Sequence, residues 1–432
     1  MKKLFFIFIV LFLSSFSNAQ QSDIYLSLSS SGKKFSIGIE PFSYVGRNTE
    51  NAKYGSAIKA VIENDLILSR YFNVIVDNIS NSNFEAKLSS WDERGASVLF
   101  TASIEVSGKG ERTRINVRVK MYDTTSKKIV WEDVFHRDNK SDFRYIGHEI
   151  SNEIVRRFTG EEGVALSKIA FVNNGTRFKE LYVIDYDGHN LKRLTRDAKL
   201  NLLPKWSPEG DQIIYTSYLF NNPDLFSINM VNNKRSVVSK YQGLNSAGTF
   251  SPNGKTILLT LSRGLFPNLY LIDKNGRLVQ QMTKGSYIDT SPSFAPNGQE
   301  IVFISDRSGI PQMYIMNMDG GNARRLPTDG HCDSPAWSPR GDKIAFTMRQ
   351  GRGHFDLYVY DLRSTRITRL TNSQGNNENP VWSPDGRFLA FASSRRGRWE
   401  IYIMAIDGSG TRKLAEISGN SYTPSWSANI KY

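Results

Sequence analysis

From about residue 164 onward, short apolar runs and polar turns alternate in one recurring layout. A β-rich apolar run stands at Ile169-Ala170-Phe171, Ile213-Ile214-Tyr215, Ile257-Leu258-Leu259, Ile301-Val302-Phe303, Ile344-Ala345-Phe346 and Leu389-Ala390-Phe391. A second apolar run follows each, centred on Tyr182, Phe226, Tyr270, Tyr314, Tyr358 or Tyr402. The turn leading into these pairs reads Trp206-Ser207-Pro208-Glu209-Gly210, Phe250-Ser251-Pro252-Asn253-Gly254, Phe294-Ala295-Pro296-Asn297-Gly298, Trp337-Ser338-Pro339-Arg340-Gly341 and Trp382-Ser383-Pro384-Asp385-Gly386. A truncated copy, Trp426-Ser427, lies near the end. The step is about 44 residues, within the range of propeller blades. A third echo, Arg193-Leu194-Thr195, recurs as Gln281-Met282-Thr283, Arg325-Leu326-Pro327 and Arg369-Leu370-Thr371.

Runs this short, split by Gly, Pro, Asn and Asp, predict strands joined by hairpins. Asp187-Gly188, Asp319-Gly320 and Asp407-Gly408 suit two-residue turns, because Gly tolerates positive φ. Each repeat then holds four antiparallel strands. A unit of that size cannot bury its own apolar face, so the copies must stack on each other. The expectation is an all-β six-bladed propeller over 164–432. The repeats begin on a second strand (168–172) and end on a first strand (423–427). The C-terminal strand is therefore expected to complete the first blade and close the ring, removing free edges.

Residues 34–160 show no such repeat and a different periodicity. Phe35 to Ile39 predicts a strand. Ala52 to Tyr71 predicts an amphipathic helix carrying Ile58, Val61, Ile62, Leu66 and Ile67 at helical spacing. Phe72 to Val76 predicts another strand. Val98 to Val106, Thr113 to Tyr122 and Ile129 to Phe135 alternate like three antiparallel strands, and Asp142 to Phe158 predicts a closing helix. This is the pattern of a small α/β domain. Thr159 to Gly163 links it to the repeats.

The first residues set the compartment. Lys2 and Lys3 precede an apolar run from Leu4 to Leu13, then Ser17-Asn18-Ala19. A basic segment, a short apolar segment and a small-x-small site predict a signal peptide over 1–19. The run is shorter than the ~20 apolar residues a membrane span needs. An uncleaved anchor is the competing reading. A single cysteine, Cys332, excludes a disulfide framework. The formal charge of +13 permits nucleic acid as a partner in principle. In an exported chain it is better read as steering towards an acidic protein or an anionic envelope surface, and no nucleic acid is expected. Residues 20–33 are Ser-rich, yet Ile24, Leu26 and Leu28 alternate with polar positions. Such a tail can add a strand to a partner, dock on its own body, or simply fray.

Candidate chemistry lies in the loops. Strand direction puts the Trp-Ser-Pro-x-Gly and Asp-Gly turns on one face. The loops joining strands two to three and four to one lie on the other face, and these differ between blades. Variable loops on a rigid scaffold are where binding residues sit. Arg177, Arg263, Arg307, Arg349 and Arg395 fall just past the second strand in five blades, with Leu219-Phe220 in blade two. They form either a positive rim or a set of solvated loop residues. Asn245, Thr290, Asp333, Glu378 and Tyr422 are expected around the channel mouth. An enzymatic alternative is a metal-dependent lyase or hydrolase site near His331 and His354, with Cys332 and Asp333. Their spacing fits no metal signature. No Gly-x-Ser-x-Gly elbow and no phosphate-binding loop is present, so neither a catalytic site nor a cofactor is expected.

The signal, the tail ending in Ser31-Gly32, the strand Ile37-Gly38-Ile39-Glu40-Pro41-Phe42 and six Trp-Ser-Pro-Asp-Gly-type repeats together resemble the TolB family. These are periplasmic components of the Tol-Pal system of Gram-negative bacteria. The resemblance covers essentially the whole chain after the signal. It implies a non-enzymatic, monomeric periplasmic adaptor that supports outer-membrane integrity and cell division. It further implies that the propeller binds a Pal-like lipoprotein and the tail a TolA-like inner-membrane protein.

Overall fold

The computed structural model describes residues 34–46, 49–79, 83–108 and 113–430. The expected signal peptide and tail lie outside the described residues.

The N-terminal domain is a mixed sheet with helices on both faces. Its strands are β1 (Phe35–Ile39), β2 (Ser43–Tyr44), β3 (Phe72–Val76), β4 (Val98–Ser107), β5 (Arg114–Asp123) and β6 (Ile129–Arg137). They run in the order β3-β1-β4-β5-β6, with β1 parallel to both neighbours and β4, β5 and β6 antiparallel. Helix α1 (Glu50–Ser69) buries Tyr54, Ile58, Val61, Ile62 and Leu66, the 3–4 spacing of one helix face. It packs with Ile146, Ile150 and Ile154 of α3 (Phe143–Thr159) over the strand residues Ile37, Phe100 and Val117. Helix α2 (Phe84–Glu93), absent from the sequence expectation, covers the other face with Leu88 and Trp91. Two buried residues are too few to show a period. Gly38 is required beneath it, because a Cβ there would lie 2.6 Å from the Trp91 ring.

Six four-stranded antiparallel sheets follow, five of them in chain order from the channel outwards. The closure expected from the repeat register is present. Ser421–Trp426 pairs antiparallel with Lys168–Asn173, Trp426 opposite Ile169, and completes blade one.

The repeat marks have physical jobs. Second-strand aromatics lie against third-strand aromatics at 5.7–6.0 Å in Phe171–Tyr182, Tyr215–Phe226, Phe303–Tyr314, Phe346–Tyr358 and Phe391–Tyr402. The turn serine caps the second strand: Ser207, Ser251 and Ser383 Oγ accept N–H from Gln212, Thr256 and Phe388 at 2.9–3.1 Å. The Leu-Thr echo is a buried polar clasp. Thr371 Oγ1 donates to Asp356 at 2.6 Å and accepts from the Leu357 amide at 3.0 Å. Thr283 makes the same pair of bonds with Asn268 and Leu269. Every innermost strand carries a β-bulge. There Leu203, Ala247, Ser291, Ser334, Asn379 and Thr423 hold left-handed φ between 45° and 55°.

Candidate functional site

The N-terminal domain occupies the turn face of the propeller, across blades five, six and one. At its centre Asp65, on the buried stripe of α1, accepts from His148 Nδ1 of α3 at 2.7 Å and from the Tyr186 hydroxyl at 2.6 Å. Tyr186 and Asp187 belong to the third-to-fourth-strand turn of blade one. Arg144 of α3 is ion-paired with the buried Asp187, and Arg412 donates to the Tyr186 carbonyl at 3.0 Å. Burial alone would lower the His148 pKa, but Asp65 and then Asp187 raise it above the ordinary imidazole value. Burial, then Asp65, pushes the Tyr186 phenol well up. Among the described residues Asp65, His148 and Asp187 form the one set whose potential ligand atoms come within 4.8 Å of each other. Tyr186 and Arg144 already engage both carboxylates, so the set works as an interdomain latch.

Three further arginines fasten the rim of this interface. Arg387, in the Trp-Ser-Pro-Asp-Gly turn of blade six, lies 3.5 Å from the Tyr71 ring centroid and donates to the Ser69 carbonyl at 2.9 Å. Arg340, in the equivalent turn of blade five, reaches Glu161 at 2.6 Å. Arg70 donates to Ser409 Oγ at 2.7 Å, in the outer turn of blade six. The turn Gly188 is held close by its neighbour: a Cβ there would stand 2.2 Å from the Leu414 carbonyl, and its φ is +90°.

Among the described residues the opposite face carries no contact with the N-terminal domain, and the arginines expected on it differ in kind. Arg177 and Arg263 are exposed, the latter 4.9 Å over the Tyr241 ring. Arg307 turns inward to the buried Asp289 at 3.0 Å and Ser305 at 2.8 Å, over Tyr314. Arg395 does the same with Asn377 at 3.1 Å and Ser393 at 2.9 Å, over Tyr402. These two cations brace their blades. Arg349 is half-buried over Phe355 at 4.7 Å.

Around the channel mouth Thr290, Asp333, Glu378 and Tyr422 occupy one register position, opposite Ile304, Thr347, Ala392 and Val172. Asn245 stands one residue earlier, opposite Leu261, and is fully buried. Its amide accepts from Ser239 and the Tyr241 N–H and donates to the Tyr241 carbonyl. Ser246 is the residue of blade three at the mouth. Burial raises the Asp333 carboxyl, and burial followed by Asp333 raises Glu378.

The groups near His331 do not converge as a ligand set. His331 meets the Phe355 ring edge-on at 5.5 Å, while His354 Nδ1 lies 3.3 Å from Asn376 Oδ1. Cys332 takes the buried place of Asn245 in its own blade, and burial pushes its thiol up to about 11.

Two features escaped the sequence reading. One is the latch. Its signal was a charged residue at position 65 within an apolar helical stripe. The other is the continuation, beyond the Phe220 (62%) noted in blade two, of an exposed apolar run on the open face of blades three and four: Leu265 (95%), Phe266 (37%), Tyr287 (43%), Ile288 (46%) and Ile310 (48%). Large apolar residues in loops otherwise built from Gly, Ser, Asn and Pro were the available signal.

Fold and site define an α/β domain clamped to one face of a six-bladed propeller, with exposed apolar side chains on the other face. Family models for the TolB amino-terminal domain and the TolB beta propeller domain match residues 29–130 and 155–332 with 326–432. The chain belongs to the TolB family. It is 31% identical over 222 residues to the Tol-Pal system protein TolB of Desulfosudis oleivorans, an alignment covering 50% of this chain and 49% of the relative. The corresponding protein of Dinoroseobacter shibae is 32% identical over 220 residues, covering 49% and 47%. The chain thus spans about half the length of the curated relatives it matches. The crystal structure of TolB from Acinetobacter baumannii superimposes with a TM-score of 0.79 at 27% identity, covering 92% of this chain and 97% of that one. No helix among the described residues is long and apolar enough to cross a membrane.

Proposed function

We propose that this protein is a non-enzymatic periplasmic adaptor of the Tol-Pal envelope system, acting as a monomer in support of outer-membrane integrity and cell division. The open face of the propeller receives a Pal-like lipoprotein domain, and residues 20–33 receive a TolA-like inner-membrane protein through Ile24, Leu26 and Leu28. The observation that carries this reading is the asymmetry of the two faces. The turn face of blades five, six and one is covered by the N-terminal domain. The loop face exposes Phe220, Leu265, Phe266 and Tyr287 beside Arg177 and Arg263. Aromatic and arginine side chains at the centre of an apolar patch are the usual anchors of a protein interface. Arg349, Asp333, Glu378, Tyr422 and Thr290 then form the more polar surround at the channel mouth, with Arg307 and Arg395 holding the loops in shape.

The test is calorimetric titration of the mature chain with the soluble domain of a Pal-like lipoprotein, then with that of a TolA-like protein. Leu265→Asp with Phe266→Ser should abolish the first and spare the second. Deleting 20–32 should abolish the second. Pal binding that survives the loop substitutions places the lipoprotein elsewhere. TolA binding that survives the deletion removes the tail from the interaction.

A further inference from the structure

The axial channel contains a charged side chain that nothing among the described residues answers. Lys205 lines it from the innermost strand of blade two, together with Val381, Ser334 and Thr423 of other blades. Register places Thr249, Ser293, Ala336, Val381 and Ser425 at the equivalent position of the other blades, so this level of the channel holds a single charge. Burial alone pushes the Lys205 ammonium down to about 8, with no neighbouring charge acting on it. Among the described residues it has neither an ion-pair nor a hydrogen-bond partner. The channel acids lie elsewhere and are turned to other tasks. Asp333 accepts from the Ser334 amide at 2.6 Å, and Glu378 feels Asp333 and Arg349.

A second polar atom in the same channel is also unanswered: Thr423 Oγ1 is buried and has no hydrogen-bond partner. An ammonium and a hydroxyl are both donors. The channel space that Lys205 and Thr423 line is ≈ 60 Å³, room for a few waters or one compact oxyanion. A charge held out of bulk water without a counterion is costly, and a bound anion removes that cost.

We propose that the axial channel is a small-anion site, with the Lys205 ammonium as its cationic ligand and the Thr423 hydroxyl as a second donor, taking a carboxylate or phosphate group. The site is independent of which partner the open face receives. A charge-assisted hydrogen bond from an ammonium to an oxyanion is the strong kind, and the neutral residues at the equivalent position leave the anion no competitor. The shared chemistry, a compact oxyanion, fits both a free inorganic ion and a carboxylate presented by a larger molecule.

The mature full-length chain is titrated calorimetrically with inorganic phosphate and, separately, with acetate, at constant ionic strength and neutral pH. Saturable one-to-one binding of at least one is expected. Phosphate alone identifies a free oxyanion site; acetate alone identifies a carboxylate site. Lys205→Met should weaken binding at least about tenfold, whereas Lys205→Arg keeps it. The unmodified protein supplies a second measurement. Its affinity should fall as pH rises past about 8, where the ammonium loses its proton, and saturating anion should move that loss to higher pH by linkage. Absence of saturable binding by either anion overturns the proposal. So does binding that Lys205→Met leaves unchanged, or an affinity that stays flat across that pH range.

Discussion

The two faces of the propeller are built from the same six repeats and have opposite characters. On the turn face, Ser, Pro and Gly recur because each blade needs the same corner. The result is a regular, stiff platform, and the N-terminal domain grips it through Asp65, His148, Tyr186, Arg387 and Arg340. On the loop face the blades differ more, although blades four and six share an inward arginine, and Phe220, Leu265 and Phe266 are exposed. Repetition makes a face suitable for permanent attachment, because its geometry is fixed by folding. Irregularity makes a face suitable for recognition, because its loops are free to differ.

The sharpest way to break this contrast is at the latch. Asp65→Ala strands a buried imidazole whose pKa Asp65 raises, and leaves a buried phenol without its acceptor. Breaking such a cluster from one side costs about 3–5 kcal/mol. Urea unfolding should show that loss, with the domains separating before either melts. A cost under about 1 kcal/mol would mean that the apolar contacts alone hold the domains together. The same latch has a pH sign. The folded His148 pKa is raised, so its contribution is complete below the ordinary imidazole value and is lost as pH rises through the folded one.

On the open face the expected effect is smaller and of the other kind. Leu265→Asp with Phe266→Ser removes exposed apolar surface, so stability should change by less than about 0.5 kcal/mol. Partner affinity should drop by about 2 kcal/mol or more, the scale of an interface anchor. A matching loss of stability would show that these loops pack rather than recruit.

Inside the ring the sign reverses. Lys205→Met, in anion-free buffer at pH 7, should stabilise the fold by roughly 1–3 kcal/mol, because it removes an unanswered charge. The unfolded lysine keeps its proton to about the ordinary lysine value of 10.5, while the folded one releases it near 8. Between those values the unfolded state binds more protons, so wild-type stability rises with pH there, and the full penalty applies below. The advantage of the variant should therefore shrink between pH 8 and pH 10. An advantage that does not change with pH would trace it to packing instead of charge.

How much of this was written in the chain depends on what each residue repeats. Trp-Ser-Pro-x-Gly, the paired aromatics and the closing strand were legible because one steric problem is solved six times. Arg307 and Arg395 were legible as positions but not as roles. Only the fold shows Asp289 and Asn377 beneath them, a strand away. Asn245 was misplaced by one residue: Ser246, opposite Thr260, holds the mouth position of its blade. Helix α2 was hidden because only Leu88 and Trp91 are buried on it. The latch was hidden because its members lie in three separate elements.

The smallest effect tests where the grip of the turn face ends. Arg340 and Glu161 meet at 2.6 Å, but their side chains are 43% and 42% exposed. Such a pair gains little in water and is screened by salt. Glu161 also accepts from the Tyr71 hydroxyl at 3.0 Å, and Arg340 donates to the Asp385 carbonyl at 2.7 Å. Either single substitution therefore removes more than the pair. A double-mutant cycle with Arg340→Ala and Glu161→Ala isolates it. The coupling should lie at about 0.2–1 kcal/mol and fade at high salt. The Asp65 latch, sealed from solvent, should hold its strength in the same salt series. If the exposed pair instead couples by several kcal/mol and ignores salt, the rim of the interface is as dry as its centre, and the N-terminal domain is bonded across its whole footprint.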